Sequence, residues 1–236
     1  MNQREEMDVS AAVDQAIRGR RAVRCFLDIP VEKELVAEIL DVARAAPSNS
    51  NIQPWRVYIV AGEAKKKLSE EILDAHCCRA AEHTASYKHF PDTLAQEFSC
   101  RREDFASRYY ESLGICRTDQ AARDAQTGRN YQFFGAPVGF IFTMNSALER
   151  GSWLDYGIFL QSVMIAAKAR GLDTCPQISF AKYHSIIRRH LHIPLHEVVV
   201  CGMSMGYGDP AAPVNSLRLP REELGSFTSF FGFDGD

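Results

Sequence analysis

Hydrophobic periodicity switches several times along the chain, and the switches mark out its elements. After Ser10, a residue type that caps helix N-termini, Val13, Ala16 and Ile17 share one helical face, and Gly19 predicts the end of that helix. Asp28 and Pro30 predict the start of a second helix with Val31, Leu35, Ile39 and Val42 on its apolar face. Pro47 forces Ala46 away from helical geometry, so this helix must end there. "WRVYIV" then reads as a strand, and Gly62 opens a lysine-rich helix carrying Leu68 and Ile72. A second apolar strand, "APVGFIFTM", is bounded by Pro137 and Asn145. Ser152 is expected to cap "WLDYGIFLQSVMIAAKAR", which Gly171 stops, and apolar residues on nearly all sides mark this helix as buried in a core or an interface. "DTCPQIS" reads as a short strand or turn, "KYHSIIRRHL" as an amphipathic helix, and "EVVVCGM" as a strand.

Two regions break the pattern. Residues 76–130 are polar, aromatic-studded and irregular in period, and a structureless insertion of that length is unusual in a compact domain. They are expected to form helices that make a lid or excursion over a site. The last thirty or so residues show no helical pattern before Pro220 and finish on "SFTSFFGFDGD", whose four phenylalanines the tail cannot bury by itself; docking on a partner subunit is expected. Few strands and long connections fit an α+β protein with one central sheet better than a doubly wound parallel sheet.

Composition narrows the function classes. The chain has 236 residues, enough for one sizeable core or two small ones, with 46% hydrophobic and 24% charged residues, as in ordinary globular proteins. A formal net charge of -3 argues against a nucleic-acid binder. No apolar run approaches the length of a membrane span, and "MNQREEMDVS" lacks an apolar signal core, so a cytoplasmic protein is expected. Seven cysteines, two of them adjacent and none in a C-x-x-C pair, predict free thiols rather than a disulfide framework or zinc site.

Several motifs invite chemistry and fail. "GMSMG" matches the G-x-S-x-G nucleophile elbow, but Gly208, Pro210 and Pro213 oppose the helix that must follow, and all seven histidines precede Ser204. His190, His192 and His196 lack helix-face ligand spacing and an acidic partner set, so no metal site is expected. The glycines near 202–208 do not form a dinucleotide fingerprint.

Three stretches remain open. "RGRRAVR" packs Arg18, Arg20, Arg21 and Arg24 into seven residues, either as a solvated basic turn or as an anion site, and Arg218 and Arg221 have the right chemistry to close such a site. "PSNSNIQPW" is either a turn-rich connection or a neutral polar wall for a planar heterocycle, beside which a charge would be costly. "GLDTCPQIS" is a strand end able to present N–H donors around Pro176, Gln177 and Ile178.

Together these stretches resemble the FMN-dependent nitroreductase family. The resemblance is carried by "RRAVRCF", "ARAAPSNSNIQPW", "FFGAPVGFIF", "ARGLDTCPQ" and "GMSMGYGDPAAPVNSLRLPREEL", in that order, and it is weakest over residues 76–128. "FFGAPVGFIFTM" with "GLDTCPQ" looks closest to the branch that acts on simple nitroaromatics such as nitrobenzene. The resemblance implies a single domain over 1–236 with a mainly antiparallel central sheet flanked by helices. It also implies a homodimer with two FMN sites at the interface, and a C-terminal arm, 203–236, that wraps the other subunit. Carried over by motif, Arg20, Arg21 and Arg24 would hold the FMN phosphate and ribityl end, completed by Arg221 and Arg218. Ser48, Asn49 and Asn51 would line the isoalloxazine edge or ribityl chain, and the backbone at Pro176, Gln177 and Ile178 would face the reactive flavin edge. Arg129 is assigned to the pyrimidine edge. Ala22 departs from the family, where many members place Ser or Thr, and shifts flavin affinity towards the arginines.

The implied activity is ping-pong: NADH or NADPH reduces FMN, and a nitroaromatic is then reduced in two-electron steps through nitroso to hydroxylamine. No protein general acid or base is assigned. Tyr109, Tyr110, Tyr131, Phe133 and Phe134 are candidates for stacking on substrate, each with ordinary packing as its alternative. The rival functions are an NAD(P)H-dependent flavin or quinone reductase on the same scaffold and a non-catalytic flavin-binding dimer.

Overall fold

Four strands form one antiparallel sheet in the order β1-β2-β4-β3: β1 is Arg56–Ala61, β2 Val138–Asn145, β3 Asp173–Gln177 and β4 Glu197–Gly206. This is a computed structural model, and it describes residues 9–233; the remaining N-terminal residues and the last three of the expected arm lie outside the described residues. The central strands β2 and β4 are buried almost throughout because helices cover both faces of the sheet.

On one face, α2 (Lys33–Ala43) and α6 (Arg150–Ala169) pack against Phe140, Phe142, Met203 and Met205. On the other, α3 (Gly62–Cys78), α7 (His184–Leu191) and the 3-10 segments 129–135 and 178–183 enclose Ile141, Phe133, Phe180 and Tyr183. Helix α1 (Val9–Gly19) precedes these layers, α4 (Gln96–Ser112) and α5 (Gln120–Gly128) occupy the irregular region, and short helices α8 (Pro213–Ser216) and α9 (Leu224–Phe227) punctuate the tail. The strands and helices that the periodicity predicts are all present.

Four boundary expectations are corrected. Helix α2 starts at Lys33 rather than beside Pro30, and its buried stripe is Val36, Ile39 and Ala43, with Val42 exposed. Ser152 lies inside α6, whose N-cap is Glu149, so its hydroxyl is not a cap. Strand β4 continues to Gly206, so the tail leaves the sheet only after that residue rather than at 203. The tail's first helix, α8, comes before Pro220.

Two glycines set the depth of one layer. The rings of Phe133 and Phe180 stack with centroids 4.6 Å apart, and a methyl group at Gly139 would meet the first ring and one at Gly202 the second. Gly202→Ala is therefore expected to destabilise the fold by about 1–3 kcal/mol through overpacking. Urea denaturation reads this directly, and an unchanged midpoint would mean that Phe180 has room to retreat.

Candidate active site

The basic segment after α1 is pinned along the sheet edge. Val23 N–H donates to Thr174 O at 3.0 Å, and Leu27 N–H to Tyr207 O at 2.8 Å. Asn215, from the short helix α8, fastens the tail onto the same segment. Its Nδ2 donates to Cys25 O at 2.7 Å and Asp209 O at 2.9 Å, its Oδ1 accepts from Arg24 N–H at 2.9 Å, and its carbonyl accepts from Arg21 Nη1 at 3.2 Å. This residue lies within the tail stretch that carries the family resemblance, but sequence reasoning gave it no role. Its role becomes visible only because residues about 190 positions apart meet at this edge.

The result is a cleft of about 600 Å³ lined by Arg18, Arg20, Arg21, Ala22, Arg24, Arg218 and Arg221, with Gln161 of α6 on its wall. Arg20, Arg21, Arg24, Arg218 and Arg221 have no carboxylate within 4.0 Å among the described residues; only Arg18 has one, Asp14 at 3.5 Å. Arg218 and Arg221 donate to carbonyls of their own tail, Ser216 O at 2.7 Å and Pro220 O at 3.0 Å. Burial, and then the neighbouring Arg221, holds the Arg20 guanidinium below the ordinary arginine range. Its Nε is buried with no hydrogen-bond partner. Mutually repelling, unpaired guanidiniums around one cleft are a poor arrangement for an empty protein and a good one for a dianion, so the donor set fits a phosphate group.

The neutral loop lies outside this cleft. None of residues 48–53 lines the arginine cleft. Asn49 N–H is held by Asp155 Oδ1 at 3.1 Å, and Gln53 N–H by Ser48 Oγ at 2.9 Å. Ser50, Asn51 and Gln53 all adopt left-handed backbone, with φ of 50°, 55° and 50°. Such strain in non-glycine residues persists only where the surroundings fix it, and it concentrates at functional sites. Ser48 is half-buried, while Asn49 and Asn51 are exposed.

At the end of β3 the side chains alternate, with Pro176 and Ile178 exposed and Gln177 buried. The Gln177 amide faces inward, donating to Asn130 O at 2.7 Å and accepting from Ser204 Oγ at 2.6 Å. Its side chain thus braces the segment after α5 rather than meeting a ligand, and Ser204 is a buried core hydroxyl, not a nucleophile. Arg129 is exposed and lines neither the arginine cleft nor the cavity beside Arg24.

The substrate candidates separate by burial. Tyr131, Phe133 and Phe134 are core residues; Tyr131 packs edge-on to Tyr183 at 4.8 Å and Phe133 stacks on Phe180. In this chain Tyr131 and Phe133 thus fill the layer beneath the sheet, which is the packing alternative to stacking on substrate. Phe134, although buried, borders a cavity together with Tyr109 and Tyr110 of α4. Helix α4 is tied to the tail by Arg101 Nε to Glu222 Oε1 at 2.8 Å, which brings the irregular region beside the cleft. Of the histidines, His192 ends α7 in left-handed backbone and His190 pairs with Glu71; no group of three or more metal-ligating side chains occurs among the described residues. No described helix is long and apolar enough to cross a membrane.

The architecture is an antiparallel sheet flanked by helices, with an arginine-lined cleft at its edge whose donor set suits a phosphate group. The chain belongs to the nitroreductase family, whose model matches residues 17–207. It is 48% identical to a 4-nitrobenzoate reductase of Pseudomonas putida over 94% of this chain and 96% of that protein. It is 42% identical to a nitrobenzene nitroreductase of Ectopseudomonas oleovorans over 95% and 99%. The FMN-dependent nitroreductase NfnB from Mycobacterium smegmatis, solved in complex with NADPH, superposes with a TM-score of 0.91 at 33% identity, covering 95% of this chain and 100% of that one.

Proposed function

We propose that this protein is an FMN-dependent NAD(P)H nitroreductase that reduces nitroaromatic compounds in two-electron steps to hydroxylamines. The observation that carries the reading is the cleft of unpaired arginines, together with relatives whose names specify nitrobenzoate and nitrobenzene reduction. FMN, when bound, supplies the electron-transfer chemistry. Arg20, Arg21, Arg24, Arg218 and Arg221 would hold its phosphate and ribityl end. Ser48, Asn49 and Asn51 would offer neutral hydrogen bonds, the backbone of Pro176 to Ile178 would flank the ring, and Arg129 would reach the pyrimidine edge.

A homodimer completes the site in this reading. The neutral loop does not line the arginine cleft of its own chain, and a second copy would bring the two together. Unpartnered apolar surface supports this: Val13 is 48% and Ile17 44% exposed on the expected face of α1, Leu154 is exposed on α6, and Phe227, Phe230, Phe231 and Phe233 project from the tail. The tail is then an arm laid over the partner.

The test is direct. Purified protein should be yellow and dimeric by sedimentation. NADH or NADPH should bleach it anaerobically, and nitrobenzene should restore the colour as phenylhydroxylamine forms. A colourless protein that takes up no FMN would overturn the reading. Faster turnover of a quinone or free FMN than of any nitroarene would assign it instead to quinone or flavin reduction.

A further inference from the structure

Beside the arginine cleft lies a second cavity of about 350 Å³ whose chemistry the phosphate site does not use. Phe105, Tyr109 and Tyr110 give it an aromatic wall, with the Arg24 guanidinium over the Phe105 and Tyr109 rings at 5.4 and 5.0 Å, and Arg102 and Arg123 also line it. Arg24 borders both spaces, so the cavity opens where the cleft ends. The volume lies within the roughly 300–1,000 Å³ of small-molecule sites, at the end suited to a single substituted ring.

The cationic groups here are held but unspent. Arg123 lies over the Tyr110 ring with its guanidinium carbon 4.1 Å from the centroid, and its one side-chain hydrogen bond among the described residues is a long contact of 3.4 Å to Arg117 O. Stacking on a ring face leaves the planar N–H fork of a guanidinium available to a planar anion. Neither Arg102 nor Arg123 has a carboxylate within 4.0 Å among the described residues. Glu103 and Glu111 line the adjoining larger cavity, which Arg123 also borders, and not this one. A neutral nitroarene would fill the aromatic wall and leave both guanidiniums unanswered.

We propose that this cavity selects nitroarenes bearing a carboxylate, with Arg123, seconded by Arg102, receiving the carboxylate and the aromatic wall holding the ring. The inference rests on the nitroreductase reading and specifies its substrate class. An arginine–carboxylate pair is charge-assisted and planar on both sides, and partial exclusion of water by the aromatic groups strengthens it.

The experiment compares flavin-loaded wild type with Arg123→Gln and Arg102→Gln, using NADH as reductant. The readouts are kcat/KM for 4-nitrobenzoate and for nitrobenzene, and the affinity for benzoate, which is not reduced, by calorimetry. Wild type should favour 4-nitrobenzoate. In Arg123→Gln the ratio of the two kcat/KM values should fall about tenfold or more, with a parallel loss of benzoate affinity, as for one charge-assisted hydrogen bond. Arg102→Gln should move both in the same direction by less. If wild type reduces neither nitroarene, the underlying nitroreductase reading fails. If it reduces both and the ratio holds in both variants, the carboxylate proposal fails alone. A loss confined to the KM for NADPH, measured in parallel, would also overturn it by assigning the arginines to the nucleotide's extra phosphate.

Discussion

An Arg20→Ala variant should leave purification largely stripped of flavin, with FMN binding weakened about ten- to a hundredfold. That is the size of one charge-assisted hydrogen bond, about 1.5–3 kcal/mol. Arg20 stands out among the cleft arginines because its Nε is buried without a partner and its charge is disfavoured by burial and by Arg221. An anion reverses both penalties at once, so the group contributes more to the loaded protein than to the free one. Arg221→Ala should weaken FMN in the same direction but by less, because Arg221 is exposed and solvent screens it. Flavin fluorescence during titration into apoprotein measures both. Inorganic phosphate should also raise the melting temperature of wild-type apoprotein more than that of Arg20→Ala. Unaltered retention in both variants would remove the phosphate assignment.

Phe133→Ala should cost about 3–5 kcal/mol of stability, measured by urea denaturation of the loaded protein. The ring is fully buried, stacks on Phe180 and rests on the bare backbone of Gly139. The backbone adds to the argument. Phe133 and Phe134 take φ of 52° and 53°, and Gly135 follows at 85°, so two bulky residues hold a conformation that normally costs about 1–3 kcal/mol each. Alanine would keep that strain and lose the packing that maintains it. A variant of wild-type stability with an altered KM for nitroarene would return Phe133 to the substrate site.

The same residue shows where reading the chain runs out. Periodicity placed the helices and strands because each buries a stripe or a face at a fixed spacing, and it placed them within a few residues. It could not tell an aromatic residue that lines a site from one that fills a layer. "NYQFF" looks alike in both cases, and the left-handed turn that carries Phe133 inward seats its ring on the bare backbone of Gly139 in β2. Gln177 is similar: the motif located the strand end, but the inward direction of its amide was fixed by Asn130 and Ser204.

By itself, then, the sequence determined the α+β architecture, the family resemblance, the arginine motif at residues 18–24 and the uncharged character of 47–54. These are local properties of composition, spacing and turn chemistry. The tertiary structure brought the expected Arg218 and Arg221 into one cleft with that motif, and it alone decided that Asn215 fastens them there and that Arg102 and Arg123 share an aromatic cavity next to it. The first two depend on segments far apart in the chain meeting at one sheet edge, and the third on how α4 packs beside α5. No local pattern encodes such a meeting, because it follows from how the buried faces pack.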